Sequence, residues 1–105
     1  MHIQIINFNL KNLREAEYRA ICDTLAPAFA EVPGLISKVW LADQKTNTYG
    51  GVYTWLDREA MEAVAKSELF NAVVTHPNLA NITSKAFGVL ESPTRVTQGL
   101  AAAAV

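Results

Sequence analysis

Two short alternating runs separated by a polar loop constrain this chain more than any other feature. The first, Leu35-Ile36-Ser37-Lys38-Val39-Trp40-Leu41, begins behind Pro33-Gly34, a dipeptide that stops whatever precedes it. Ile36, Lys38 and Trp40 fall on one face, and Leu35, Ser37, Val39 and Leu41 on the other. The second run, Tyr49-Gly50-Gly51-Val52-Tyr53-Thr54-Trp55, is aromatic on one face. Asp43-Gln44-Lys45-Thr46-Asn47-Thr48 joins them, so the pair reads as a hairpin. The aliphatic face of the Leu35 run suits packing beneath helices. The face carrying a cation and an indole suits a pocket.

The flanking segments each add a strand and a helix, and the chain carries no internal repeat. Ile3 to Asn9 alternates as a strand, with Ile6 and Phe8 set against Ile3, Ile5 and Asn7. Asn12 then offers an N-cap, with Glu15 placed to reach back to it. Leu13, Ala16, Ala20, Ile21, Leu25, Ala28, Phe29 and Val32 follow at helical spacing, and Pro27 should kink or end that helix before Pro33. Beyond the hairpin, Leu56-Asp57-Arg58-Glu59 opens a second helix whose stripe is Met61, Val64, Ala65, Leu69, Ala72 and Val73. His76-Pro77-Asn78 ends it, and Ile82 to Leu90 forms a last strand.

This order, βαββαβ, predicts an α+β ferredoxin-like sandwich: a four-stranded antiparallel sheet with two helices on one face. Residues 1–91 make up the domain. Residues 92–105, ending in Ala-Ala-Ala-Ala-Val, are a low-complexity extension expected to order only against a partner. Helices over the aliphatic face leave Trp40, Tyr53, Trp55 and Phe87 bare, a patch too large for a monomer to expose. A second copy laid against it closes a barrel with room inside, so a homodimer is expected.

Composition removes other classes of function. A chain of 105 residues with net charge −1 has no basic stripe to neutralise phosphates, so no nucleic acid is expected. No apolar run is long enough to span a bilayer, no signal peptide is evident, and the expected setting is cytoplasmic, away from the membrane. One cysteine, Cys22, and two histidines, His2 and His76, give no metal-ligand spacing. Gly50-Gly51 precedes strand residues, not a helix N-terminus, so it cradles no phosphate. Neither a metal nor a flavin or nicotinamide cofactor is expected.

Pro33-Gly34 with Lys38-Val39-Trp40, then Gly50-Gly51-Val52-Tyr53, then Lys85-Ala86-Phe87, in that order and spacing, resembles the YdhR-type mono-oxygenases. These belong to the dimeric α+β barrel superfamily, with the antibiotic-biosynthesis mono-oxygenases. The similarity runs from the first strand to about Thr94. It implies a homodimer, a cavity between sheet and helices, and oxygenation of a small aromatic or polyketide-like compound.

The candidate site follows from the faces. Lys38 either lines the cavity and attracts a phenolate oxygen or snorkels to solvent, and the same choice holds for Lys85. Trp40 and Phe87 would stack on a flat ring, and Tyr53 would donate to a substrate oxygen. Asn7 is the one amide in an apolar stretch and would orient the substrate. Trp55 belongs to the aromatic wall or to a dimer core. His76 is the available base, although its place before Pro77 suits a cap that donates to the last helix carbonyls. Lys38, Tyr53 and Asn7 are thus the catalytic candidates, and Trp40, Trp55, Phe87, Lys85 and His76 the binding ones. Two functions fit: cofactor-independent mono-oxygenation, and non-catalytic binding of a small aromatic. Haem degradation, found elsewhere in the superfamily, fits poorly, because no tryptophan lies between Asp57 and His76.

Overall fold

The computed structural model describes residues 1–99. Its elements are β1 (His2–Leu10), α1 (Glu15–Ala30), β2 (Leu35–Asp43), β3 (Thr48–Trp55), α2 (Arg58–Val64), α3 (Glu68–Val74), β4 (Leu79–Gly88) and α4 (Glu91–Val96). The sheet order is β2-β3-β1-β4 with every pairing antiparallel. This is the ferredoxin-like sandwich that the order of patterns predicts. No helix among the described residues is long and apolar enough to cross a membrane.

Register shows which face the helices cover, and it reverses the expectation. Gln4, Ile6 and Phe8 of β1 lie opposite Tyr53, Gly51 and Tyr49 of β3, and Lys38 and Trp40 of β2 lie opposite Tyr53 and Gly51. That aromatic face is the one beneath the helices: Trp55, Tyr49 and Tyr53 are buried in one core with Tyr18 and Phe29 of α1. The bare face carries Ile3, Ile5, Val39, Leu41, Val52 and Phe87, with Val39 57% and Phe87 53% exposed. Burying large rings removes more apolar area from water than burying β-branched side chains. The polar atoms on those rings also find partners. Trp55 Nε1 donates to Gln4 Oε1 at 3.0 Å, and Tyr49 Oη donates to Glu15 at 2.7 Å.

A bulge completes the reversal. Leu35 pairs with Trp55 but Ser37 with Thr54, so Ile36 is an extra residue in β2. Leu35 therefore shares the helix-covered face with Lys38, although strict alternation puts them on opposite sides. Gly50, at φ +146°, is needed where β3 crosses β1, because a Cβ there would meet the Ile6 carbonyl.

The helices differ in detail from their patterns. Arg14, not Asn12, caps α1, with Glu17 Oε1 accepting the Arg14 N–H at 3.0 Å. Asn12 sits in the left-handed region at φ 54°, and Glu15 turns instead to Tyr49. Pro27 lies inside α1, which continues to Ala30 despite the missing donor. Tyr18 and Cys22 take the inward positions expected of Ala16 and Ala20, which are exposed. The second helix is two, because Ser67 interrupts it and caps α3 by accepting the Phe70 N–H. β4 starts earlier than expected, at Leu79, and a bulge opposite Phe8 puts Asn81 at φ 54°. The extension begins as α4, with the N-terminal amine 3.9 Å from Glu91. Its alanine-rich end lies outside the described residues.

Candidate functional site

Between α1, α3 and the sheet lies a mainly apolar cavity of about 200 Å³. Tyr18, Cys22, Leu25 and Phe29 line it from one stripe of α1, at spacings that keep successive side chains on one helix face. Leu69, Ala72 and Val73 line it from α3, and His76 follows in the turn. Phe8, Lys38, Trp40, Gly50 and Tyr53 form its floor.

Lys38 is the cation in this wall. It rises from edge strand β2, and its Nζ sits 3.5 Å from the ring centroids of both Phe29 and Trp40 and 4.7 Å from that of Tyr53. Phe29 and Trp40 meet edge to face at 5.6 Å, which fixes the angle between the two rings that hold the amine. None of the ion pairs among the described residues involves Lys38. Burial without a carboxylate pulls its ammonium down from 10.5 to about 7, and the nearby Cys22 opposes the shift. The rings favour the charged form, so the amine is held between two opposing influences.

The other titratable groups in the wall are set by burial too. Burial pushes the Tyr53 and Tyr18 phenols up, so both remain protonated donors near neutrality. Burial also raises the Cys22 thiol, against smaller effects from Tyr18 and Lys38. His76 accepts the Asn78 N–H through Nδ1 at 3.1 Å. A neutral His76 therefore carries its proton on Nε2. It holds the turn into β4 as an acceptor, rather than donating to the last carbonyls of the helix.

Of the residues singled out in the sequence, Lys38, Trp40, Tyr53 and His76 come together at this cavity. Trp55 stands behind it, with no exposed surface, stacked on Tyr53 at 5.8 Å and 2°. It belongs to the core of its own chain. Asn7, Lys85 and Phe87 are elsewhere. Asn7 pairs with Gly50 and Thr83 on the opposite face and reaches the Tyr49 carbonyl at 3.5 Å. Lys85 and Phe87 pair with Ile5 and Ile3 on that same outer face. The reason is parity: the odd-numbered positions of β1 and β4 there point away from the helices. Tyr18 and Cys22 were not recognised as wall residues, although their spacing to Leu25 and Phe29 carried the signal.

A cavity of this shape can hold a flat apolar ring and present an amine and phenolic donors to it. Fold and cavity together define a ferredoxin-like α+β protein with a mainly apolar hollow between sheet and helices. Over residues 3–100 the sequence matches the family described as "Putative mono-oxygenase ydhR", and the chain belongs to that family. No curated protein sequence matches it. Among solved structures it is similar to a "putative antibiotic biosynthesis monooxygenase" from Deinococcus radiodurans, at 17% identity and TM-score 0.72, over 88% of this chain and 95% of that one. It is similar also to SnoaB, a cofactor-independent oxygenase from Streptomyces nogalater, at 18% identity and TM-score 0.67, over 87% and 95%. A third is the haem degrader MhuD of Mycobacterium tuberculosis, with 21% identity and TM-score 0.69, over 86% and 96%. At these identities the likeness is one of fold.

Proposed function

We propose that the protein is a cofactor-independent mono-oxygenase of a one- or two-ring phenolic compound, working as a homodimer. The observation that carries this is the amine of Lys38 at the wall of a mainly apolar, aromatic cavity. Size supports a small substrate. About 150 Å³ of apolar cavity suffices for benzene, and drug-sized ligands need roughly 300–1,000 Å³. At about 200 Å³ the hollow has room for one or two fused rings.

In this mechanism Lys38, neutral for part of the time near pH 7, takes the substrate's acidic proton. The resulting ammonium then holds the substrate anion in a site with little water. Tyr53 donates a hydrogen bond to the same oxygen, and Trp40 stacks on the ring. The electron-rich anion reacts with oxygen directly. In the keto tautomer of the phenol a ring methylene becomes a carbonyl, its two hydrogens leave with the second oxygen atom as water, and the substrate supplies all the electrons. Preorganised donors at a developing oxyanion lower such barriers by several kcal/mol. The bare face supports dimer formation through Phe87, as expected, and through Ile3, Ile5 and Val39 in place of Trp40, Tyr53 and Trp55.

Oxygen uptake with a panel of phenols and small hydroxylated ketones tests the proposal. The rate should exceed the protein-free rate and fall about tenfold to a hundredfold in Lys38→Met and Tyr53→Phe. Equal rates with and without protein, alongside saturable binding, would instead establish a binder. That second function is favoured by the absence, among the described residues, of a hydrogen-bonded acid–base pair in the cavity wall.

A further inference from the structure

We infer that Lys38 is a carbonyl-capturing amine, which takes small aromatic aldehydes into the cavity and joins them to the protein as an imine. This goes beyond oxygenation: it shares the cavity with that activity but needs no oxygen.

Three observations lead to it. The Nζ is held over two rings at 3.5 Å within the cavity wall, so a guest that enters the hollow meets the amine of the one lysine among its lining residues. No carboxylate pairs with Lys38 among the described residues, which leaves its lone pair without a competing ion pair. The titratable groups that line the cavity with it are Tyr18 and Cys22 from α1, Tyr53 from β3 and His76 after α3, and none is a carboxylic acid. Desolvation of a lysine in an apolar pocket is an established way to obtain a nucleophilic amine at neutral pH. The other four lysines, Lys11, Lys45, Lys66 and Lys85, are all exposed.

The step balances without an oxidant or reductant. The nitrogen lone pair attacks the carbonyl carbon, the C=O pair moves to oxygen, and a proton passes from nitrogen to that oxygen. The carbinolamine then loses its hydroxyl with one further proton as water, and the C=N bond forms. That further proton is the second one on the nitrogen, and Tyr53 in the wall is a hydrogen-bond donor for the carbonyl oxygen. An aldehyde is preferred to a ketone, because the second substituent of a ketone would press on Phe29 or Trp40. A benzaldehyde-sized guest matches a cavity of about 200 Å³.

The test is reductive trapping. The full chain is incubated at pH 7.5 with limiting benzaldehyde and cyanoborohydride, and the benzyl adduct is located by peptide mass mapping. The expected result is an adduct at Lys38 at least about tenfold faster than at any exposed lysine, since an ordinary lysine is about one part in a thousand neutral at this pH. An excess of 2-naphthol, occupying the cavity, should abolish that selectivity. Lys38→Met should lose the fast adduct while keeping the slow surface ones. Modification of Lys38 in the wild-type chain no faster than that of Lys45 or Lys66 would overturn the proposal, whether or not the variant folds. Oxygen uptake on the same preparation reads the mono-oxygenase activity separately, so either can fail alone.

Discussion

Replacing Lys38 by methionine should stabilise this protein, and by an amount that depends on pH. The lysine's proton affinity falls from an ordinary 10.5 to about 7 on folding. At about 1.4 kcal/mol per tenfold change, that is at most roughly 5 kcal/mol. Two effects reduce it. The amine keeps some contact with water, which screens the cost, and the desolvated ring faces return about 0.5–2 kcal/mol to the ammonium. A net cost of about 2–3 kcal/mol is expected. The sign follows from proton counting. Between pH 7 and 10.5 the unfolded chain binds the proton more readily than the folded one, so stability rises with pH there. As pH falls from 10.5 that contribution is lost, and below 7 none remains. Methionine fills similar space and does not titrate. Urea denaturation of both proteins at pH 6, 8 and 10 should show Lys38→Met ahead by about 2–3 kcal/mol at pH 6, with the gap closing by pH 10. Parallel pH profiles, or a variant less stable at pH 6, would show that the rings stabilise the ammonium more than burial penalises it.

Other perturbations test the scaffold that presents this amine. Gly50→Ala should cost about 3 kcal/mol or more, since its backbone is left-handed and its Cβ would meet the Ile6 carbonyl; Gly88→Ala, with open space around it, is the thermal-melt control. Gln4→Leu strands the buried Nε1–H of Trp55 and should cost about 1–3 kcal/mol, seen in denaturation and in the near-ultraviolet signal of the indole. Light scattering should give twice the chain mass for the wild type and the chain mass for Val39→Lys/Phe87→Glu, because both charges fall on the bare aliphatic face. A wild-type monomer would remove the dimer from the proposal.

The order of elements was legible because alternation and helical spacing are local, and each patterned segment had room for only one kind of element. Which face the helices cover was not. A lysine beside an indole looks unsuited to a core, yet Phe29, from the last turn of α1, supplies a ring that makes the position tenable. The bulge at Ile36 cannot be seen from alternation alone, and it moved Leu35 across the sheet. Parity decided the candidate residues. Even positions of β1 and β2 and odd positions of β3 face the cavity side, which gathers Lys38, Trp40 and Tyr53 and sends Asn7 outward. The expectation of a second copy on the bare face followed from the pattern of elements, but of the residues assigned to that face only Phe87 lies there.

The interruption at Ser67 bears on how this cavity could change its guest. One wall is α1, a helix of 16 residues; the opposite wall is α3, of seven. A two-turn helix with its own cap, free of a rigid continuation into α2, is cheap to shift or rebuild. Leu69, Ala72 and Val73 project from it toward the hollow, while the amine and the rings that hold it stand on the other side. Under the proposed function, specificity and reactivity would be housed in separate elements, and exchange of a few side chains in α3 would enlarge or narrow the hollow without disturbing Lys38.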